Sequence, residues 1–160
     1  MIRPIKASDI ARIVEIYNHY ILHTIVTFEL ETINNSEMKE RVAKVTKDHP
    51  WLVVENDGLV VGYAYSSWWH ARAAYSKSIE FSVYLDPPAT GKGLGKLLYH
   101  ALLDDAIKRG FHTVIGGISL PNAASVGLHE KIGFKKAAHY REVGYKFDKW
   151  IDVGYWQLIL

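Results

Sequence analysis

The sequence contains no cysteine. Disulfide bonds, thiolate metal ligands and a cysteine nucleophile are therefore excluded. An absence of cysteine is compatible with the reducing cytoplasm, where disulfides are rare. We therefore expect a cytoplasmic protein.

Long apolar runs and an excess of one charge are also missing. No run approaches the ~20 apolar residues of a membrane helix, and residues 1–4 lack the apolar core of a signal peptide. The net charge is only +2 without a basic stripe, which argues against nucleic acid as a partner. We expect one domain over residues 1–160, without membrane or nucleic-acid partners.

Hydrophobic periodicity and turn residues predict alternating strands and helices. Strands are predicted over residues 1–5, 51–55, 59–65, 76–85, 113–118, 134–145 and 150–160. Helices are predicted after Ser8 and Asp9, from an Asn35 or Ser36 cap to residue 47, and over residues 94–109 and 121–132. The order β-α-α-β-β-β-α-β-α-β-β indicates an α/β (α+β) fold with a mixed sheet rather than regular βαβ units.

A glycine-rich loop joins the predicted strand 76–85 to the helix that follows it. Its residues are Gly91, Lys92, Gly93, Leu94, Gly95 and Lys96. Glycines allow positive φ and close approach to a ligand, and helix N-termini attract anions, so the loop can hold a diphosphate. The spacing fits neither a Walker A nor a Rossmann loop. A simple tight turn is the alternative.

Several motifs, taken in order, resemble the Gcn5-related N-acetyltransferases. They are the glycine loop, Leu120-Pro121-Asn122 and the run LHEKIGF at residues 128–134. The resemblance implies a central mixed, mostly antiparallel sheet, splayed at the cofactor site and flanked by about four helices. It also implies acetyl-CoA as co-substrate and no metal. The implied cofactor-binding residues are Val83, Tyr84 and Leu85, the six loop residues, Asn122 and Lys131. One departure is Thr90, where that superfamily usually has Gln or Arg.

Further motifs are similar to phosphinothricin and methionine sulfoximine N-acetyltransferases. They include WLV at residues 51–53, GYAY at 62–65, EFSVYL at 80–85 and WIDVGYWQ at 150–157. The similarity extends from Arg3 to the C-terminal strand. It implies a homodimer that acetylates the α-amine of a small amino-acid analogue.

Glu80 is the first candidate catalytic residue. Acetyl transfer to an amine needs a base, because only the free amine attacks. Strand alternation places Glu80, Ser82 and Tyr84 on one face, and Phe81, Val83 and Leu85 on the other. In the resembling family this glutamate is the general base. A solvated strand residue in an ion pair is the alternative.

His129 is the second candidate. Many superfamily members have tyrosine at this position as the acid that protonates the leaving thiolate, whereas the phosphinothricin-type enzymes share the histidine. Histidine can act as acid or base near neutrality. A hydrogen-bonded core histidine is the alternative. His19 and His23 lie four residues apart but lack a third ligand, so no metal is expected.

The resemblance places the acceptor site just before the Glu80 strand. It assigns substrate binding to His70, Arg72, Ala73, Ala74 and Tyr75, and to Phe28, which often comes from the partner subunit. Arginine can hold a carboxylate or phosphinate bidentately. Some members have lysine where this chain has His70. A surface loop with exposed aromatic side chains is the alternative.

The sequence therefore predicts an enzyme that transfers acetyl groups directly, since no cysteine can form an acyl-enzyme. Phosphinothricin, methionine sulfoximine and methionine sulfone are the expected acceptors. The alternatives are another amine, such as a polyamine, an aminoglycoside or a protein N-terminus, and a non-catalytic acyl-CoA sensor.

Overall fold

The predicted order of strands and helices is confirmed by the computed structural model, which describes residues 1–160. The strands are β1 (Ile2–Pro4), β2 (Trp51–Asn56), β3 (Leu59–Trp68), β4 (Ser78–Leu85), β5 (Thr113–Leu120), β6 (Lys135–Lys146) and β7 (Lys149–Ile159). The helices are α1 (Ile10–His23), α2 (Asn35–Val45), α3 (Leu94–Lys108) and α4 (Ala123–Ile132). None of them is both long and apolar enough to cross a membrane.

All strands belong to one sheet in the order β1-β2-β3-β4-β5-β7-β6. Every neighbouring pair is antiparallel except β4 and β5, so the predicted mixed, mostly antiparallel sheet is confirmed. These two strands are joined by α3, the crossover that a parallel pair requires. They pair only from Ser78 with Thr113 to Glu80 with Ile115. Beyond those residues the two strands separate.

Each face of the sheet carries its own hydrophobic core. Phe81 belongs to the core that contains Leu98 and Tyr99 of α3. Tyr84 packs against the other core, with Tyr17 of α1 and Tyr63 of β3. The alternation predicted along β4 is therefore confirmed, because successive strand residues point to opposite faces.

Several predicted boundaries are wrong by one to three residues. The cap of α2 is Asn34 rather than Asn35 or Ser36, and α2 ends at Val45. The strand β4 begins at Ser78 because a short 3₁₀ turn, Ala73–Tyr75, precedes it. Asn122 caps α4, so this helix begins after the predicted Pro121.

The cap of α2 gives a direct test of the corrected boundary. Asn34 Oδ1 accepts a hydrogen bond from Glu37 N (3.0 Å), and Glu37 Oε2 accepts one from Asn34 N (2.7 Å). Replacing such a cap by alanine costs about 1 kcal/mol. We expect Asn34→Ala to lower the free energy of unfolding in urea by about that amount. Ser36→Ala is the control; an equal loss there would contradict the assignment.

Candidate active site

The glycine loop begins α3 without any capping side chain. Gly93 is the N-cap with φ 79°, and Gly91 has φ 74°, so both occupy the left-handed region that favours glycine. Gly95, whose φ is not in that region, packs closely instead: a Cβ there would lie 3.3 Å from Leu128 Cδ2. The first N–H with a helical acceptor is that of Leu97, which donates to Gly93 O (3.2 Å). The preceding amides of α3 therefore remain available to an anion.

The edge of β4 that faces β5 is also available beyond Glu80. Ser78 O accepts a hydrogen bond from Trp69 N, and Asp86 N donates one to Val61 O. The even-numbered residues of β4 therefore make their backbone hydrogen bonds to β3. Because such pairs alternate, Val83 and Leu85 turn their backbone groups away from β3. The carbonyl of Leu85 accepts the Tyr20 hydroxyl (2.6 Å). The backbone of Val83 faces the gap.

A cavity of about 300 Å³ lies where β4 and β5 separate. It brings together six of the residues predicted from the sequence: Phe28, Glu80, Val83, Tyr84, Asn122 and His129. Its other walls include Tyr99, Gly117, Ser119 and Tyr155. The candidate base, the candidate acid and the open strand edge thus share one cavity.

Glu80 has neither an ion-pair nor a hydrogen-bond partner within the chain. Its Oε1 lies 3.3 Å from the position that a Cβ on Gly117 would take, so the carboxyl group rests against β5. Partial burial raises the pKa of Glu80 above its ordinary value, because the charged form loses hydration. A carboxyl group with a raised pKa and no partner is suited to accepting a proton.

His129 is buried, with both ring nitrogens engaged. Nδ1 lies 2.7 Å from Ser125 O; since a carbonyl only accepts, Nδ1 carries the proton. Nε2 then accepts from the Tyr99 hydroxyl at 2.9 Å. Burial lowers the pKa of His129, which keeps the ring neutral. The geometry favours a hydrogen-bonded core histidine, which is the alternative to a catalytic role.

Of the remaining predicted cofactor residues, Asn122 lines the cavity, whereas the lysines are exposed on the surface. Asn122 Oδ1 accepts from Ser125 N (3.1 Å) and caps α4, while its NH₂ group has no partner. Lys92 and Lys96 are exposed on the glycine loop, and Lys131 is exposed near the end of α4. No group of three or more His, Cys, Asp or Glu residues is placed to hold a metal ion.

The predicted acceptor loop lies outside this cavity. Arg72, Ala73, Ala74 and Tyr75 are exposed, and none of them lines the cavity of Glu80. His70 lines a second cavity of about 730 Å³ beneath α2. The β3–β4 hairpin continues beyond Glu80 to the Trp68–Ile79 pair, which carries its loop away from the gap.

Phe28, in contrast, lines the cavity of its own chain. Its ring lies against Gly144 of β6, where an added Cβ would be 2.4 Å from Phe28 Cζ. The family resemblance implies a Phe28 that is often supplied by the partner subunit. Within the single chain, the loop between α1 and α2 already carries it to the gap.

Sequence reasoning missed Tyr99 and Tyr155 as cavity residues. Tyr99 is 1 % exposed on α3, and it follows Gly95 by four residues, a helical spacing that would have put it on a buried face. Tyr155 belongs to the alternating pattern of β7. Residue spacing gives the face of each tyrosine, but only the folded structure shows that both line the same cavity as Glu80.

Comparisons with known proteins agree with this architecture. The acetyltransferase (GNAT) domain family matches residues 2–154. A phosphinothricin N-acetyltransferase from Streptomyces viridochromogenes is 40% identical over 98% of this chain and 85% of its own length. A methionine sulfoximine/methionine sulfone acetyltransferase from Salmonella typhimurium is 38% identical over 99% of this chain and 94% of its own. A phosphinothricin acetyltransferase from Sinorhizobium meliloti, solved in complex with acetyl-CoA, superposes with a TM-score of 0.96 at 33% identity, covering 100% of this chain and 88% of that one.

The chain therefore belongs to the GNAT acetyltransferase family. It is an N-acetyltransferase that uses acetyl-CoA. The family, the fold and the class of enzyme predicted from the sequence are confirmed.

The hydrogen bond between Tyr99 and His129 can be tested through stability. Tyr99→Phe would leave His129 Nε2 buried without a donor, which costs about 1–3 kcal/mol. We expect the free energy of unfolding at pH 8 to fall by that amount. Tyr140→Phe, which removes the hydroxyl of an exposed tyrosine, is the control. Equal stability of both variants would mean that the bond contributes nothing.

Proposed function

We propose that this enzyme acetylates the α-amino group of phosphinothricin, methionine sulfoximine, methionine sulfone or a similar amino-acid analogue. The relatives named for these acceptors align with nearly the whole chain. The single observation that carries the catalytic part is the unpaired carboxyl group of Glu80 at the gap between β4 and β5. We assign Glu80 as the general base.

The cofactor is assigned to groups that have no partner within the chain. The uncapped amides at the start of α3 and the exposed Lys92 and Lys96 suit the diphosphate of acetyl-CoA. The backbone of Val83 suits the amides of the pantetheine arm, as one more strand would. Tyr84, Leu85, Asn122 and Lys131 are added to the proposed site by resemblance alone, since Tyr84 pairs with β3 and the Leu85 carbonyl already accepts the Tyr20 hydroxyl. Acetyl-CoA supplies the acetyl group as a thioester at the closed end of the gap.

Glu80 would accept the proton that the acceptor ammonium must lose. The free amine then forms an N–C bond to the thioester carbon, the C–S bond breaks, and the leaving thiolate takes up the second proton that the nitrogen loses as it becomes an amide. Because both nitrogens of His129 are engaged, we assign His129 a supporting role rather than the catalytic role, as acid or base, that was expected from the sequence. It connects Tyr99 of α3 to Ser125 of α4 at the wall of the cavity.

The acceptor carboxylate is assigned, by resemblance alone, to Arg72 with His70, Ala73, Ala74 and Tyr75. Arg72 has no ion-pair partner in the chain, so its guanidinium is free to bind an anion. A conservative Arg72→Lys change keeps the charge but removes the bidentate geometry. A rise in the acceptor KM, without a change in the KM of acetyl-CoA, would support this assignment.

Acetylation of a defined panel of amines tests the proposed acceptor class. We expect turnover with methionine sulfoximine, methionine sulfone and phosphinothricin, measured as release of free CoA and by mass of the product. Spermidine, kanamycin and an alanine-started peptide represent the other amines. Reaction with one of these, and with none of the three analogues, would contradict the proposal.

Replacing Glu80 by glutamine tests the base. General base catalysis contributes about 10²–10⁴-fold, so we expect kcat to fall by at least ~100-fold with an unchanged KM for acetyl-CoA. In the wild type, kcat rises with pH through the raised pKa of Glu80, because only the ionised form accepts a proton. This rise of kcat with pH should be absent in Glu80→Gln.

Stability provides the control for that variant. A carboxyl group whose pKa is raised by folding binds its proton more tightly in the folded state, so ionised Glu80 lowers stability as pH rises. Glu80→Gln should therefore be no less stable than the wild type at pH 8. Wild-type turnover in a well-folded Glu80→Gln variant would exclude Glu80 as the base.

We also propose that the enzyme is a cytoplasmic homodimer, that acetylation detoxifies these amino-acid analogues, and that it thereby confers herbicide resistance. The dimer is supported by exposed apolar side chains on the β6–β7 hairpin, namely Tyr140, Val143, Tyr145, Phe147 and Trp150. Exposed apolar patches of this kind often mark protein interfaces. Light scattering after size exclusion should give twice the chain mass, and Trp150→Glu should give a monomer. A monomeric wild type would contradict the proposed dimer.

A further inference from the structure

A bulge in β6 lies beside the reaction cavity. Tyr140 pairs with Val153 and Gly144 with Ile151, so three residues of β6 face the single residue Asp152. Glu142, in the bulge, has φ 53° and donates its N–H to Asp152 Oδ1 (2.9 Å). Bulges bend a strand and redirect the residues that follow. Here the residue that follows is Gly144.

Gly144 leaves room for the ring of Phe28. A Cβ at residue 144 would lie 2.4 Å from Phe28 Cζ and 2.5 Å from Cε2, distances that no real Cβ contact allows. The φ of Gly144 is not in the left-handed region. The position of the neighbouring ring, rather than the backbone conformation, therefore leaves no room for a side chain at residue 144.

Lys146, two residues after Gly144 in β6, holds the α1–α2 loop that carries Phe28. It is only 3 % exposed, and its Nζ donates to the carbonyl oxygen of Thr27 (2.8 Å). The Thr27 hydroxyl in turn lies 2.9 Å from the Tyr17 hydroxyl of α1. Burial lowers the pKa of Lys146. The buried Lys146 ammonium group therefore holds the backbone just before Phe28. Lys146 has no role in the proposed reaction.

Phe28 approaches the cavity from the side where an acceptor would enter. The α1–α2 loop belongs to the face of the sheet on which Tyr84 packs against Tyr17 of α1, which is also the face of Glu80. The glycine loop and α3 belong to the opposite face. A shift of Phe28 should therefore alter the acceptor side and leave the cofactor side unchanged.

We propose that Gly144 and Lys146 are positioning residues that hold Phe28 as the acceptor-side wall of the cavity, and so determine which amines fit. This inference rests on the proposed function. Phe28 is 41 % exposed, so its ring can swing outward without emptying the core. Residues on the last two strands of the chain would then control specificity at a reaction centre built from β4 and β5.

The first test is Gly144→Ala with methionine sulfone as the acceptor. The added methyl group should push the ring of Phe28 out of its place. We expect the acceptor KM to rise about tenfold, which corresponds to about 1.4 kcal/mol, while the KM of acetyl-CoA and the melting temperature change little. Gly127→Ala is the matched control, because a Cβ there meets no atom within 4 Å.

A double-mutant cycle shows whether the effect passes through Phe28. Phe28→Ala alone should raise the acceptor KM, and adding Gly144→Ala to it should cause no further rise, since the clashing ring is gone. Lys146→Met, which keeps the side-chain length but removes the donor, should raise the acceptor KM in the same way. Lys146→Arg, which retains a donor, should recover part of the wild-type value.

Two results would overturn the inference. One is an unchanged acceptor KM in Gly144→Ala while the wild type is active. The other is an equal tenfold loss on adding Gly144→Ala to Phe28→Ala, which would indicate a general disturbance of β6. A wild type that acetylates no amine would instead contradict the proposed function itself.

Discussion

The candidate active site depends on the early separation of two parallel strands. β4 and β5 share only three register pairs, whereas β5 pairs with β7 along eight residues. Because β7 holds β5 over its full length, β5 cannot close onto the second half of β4. The gap that results leaves backbone groups of Val83 without a strand partner. It also brings residues from both faces of the sheet to one cavity.

The same gap determines the chemistry of Glu80. The carboxyl group is partly buried, yet no basic side chain lies close enough to neutralise it, and its pKa rises. Partial burial without a partner opposes folding, and the two hydrophobic cores on either side must offset that cost.

The sequence predicts the local features of the site well. Period-two alternation places Glu80 and Phe81 on opposite faces, and the glycine spacing predicts the loop that begins α3. Both features depend on residues that are close together in the chain. The spacing does not, however, distinguish Gly91 and Gly93, which have positive φ, from Gly95, which packs closely against Leu128.

The sequence predicts poorly what depends on distant pairing. The position of His70–Tyr75 outside the cavity follows from the length of the β3–β4 hairpin, which no single motif encodes. The partners of His129 come from two helices, and Tyr99 is separated from it by 30 residues. The contact between Phe28 and Gly144 depends on the bulge in β6. The position of this bulge can be seen only in the folded sheet.

The opening between β4 and β5 also gives the sheet two inner edges. Unpaired strand edges normally invite another chain to add as a further strand, which leads to aggregation. Here the space between the edges is a cavity of only about 300 Å³, bounded by α4 and by the α1–α2 loop. A ligand with a slim, extended arm can enter this space, whereas a neighbouring protein strand with side chains on both faces cannot. The protein can therefore keep open the backbone groups that we assign to the cofactor without exposing them to other chains.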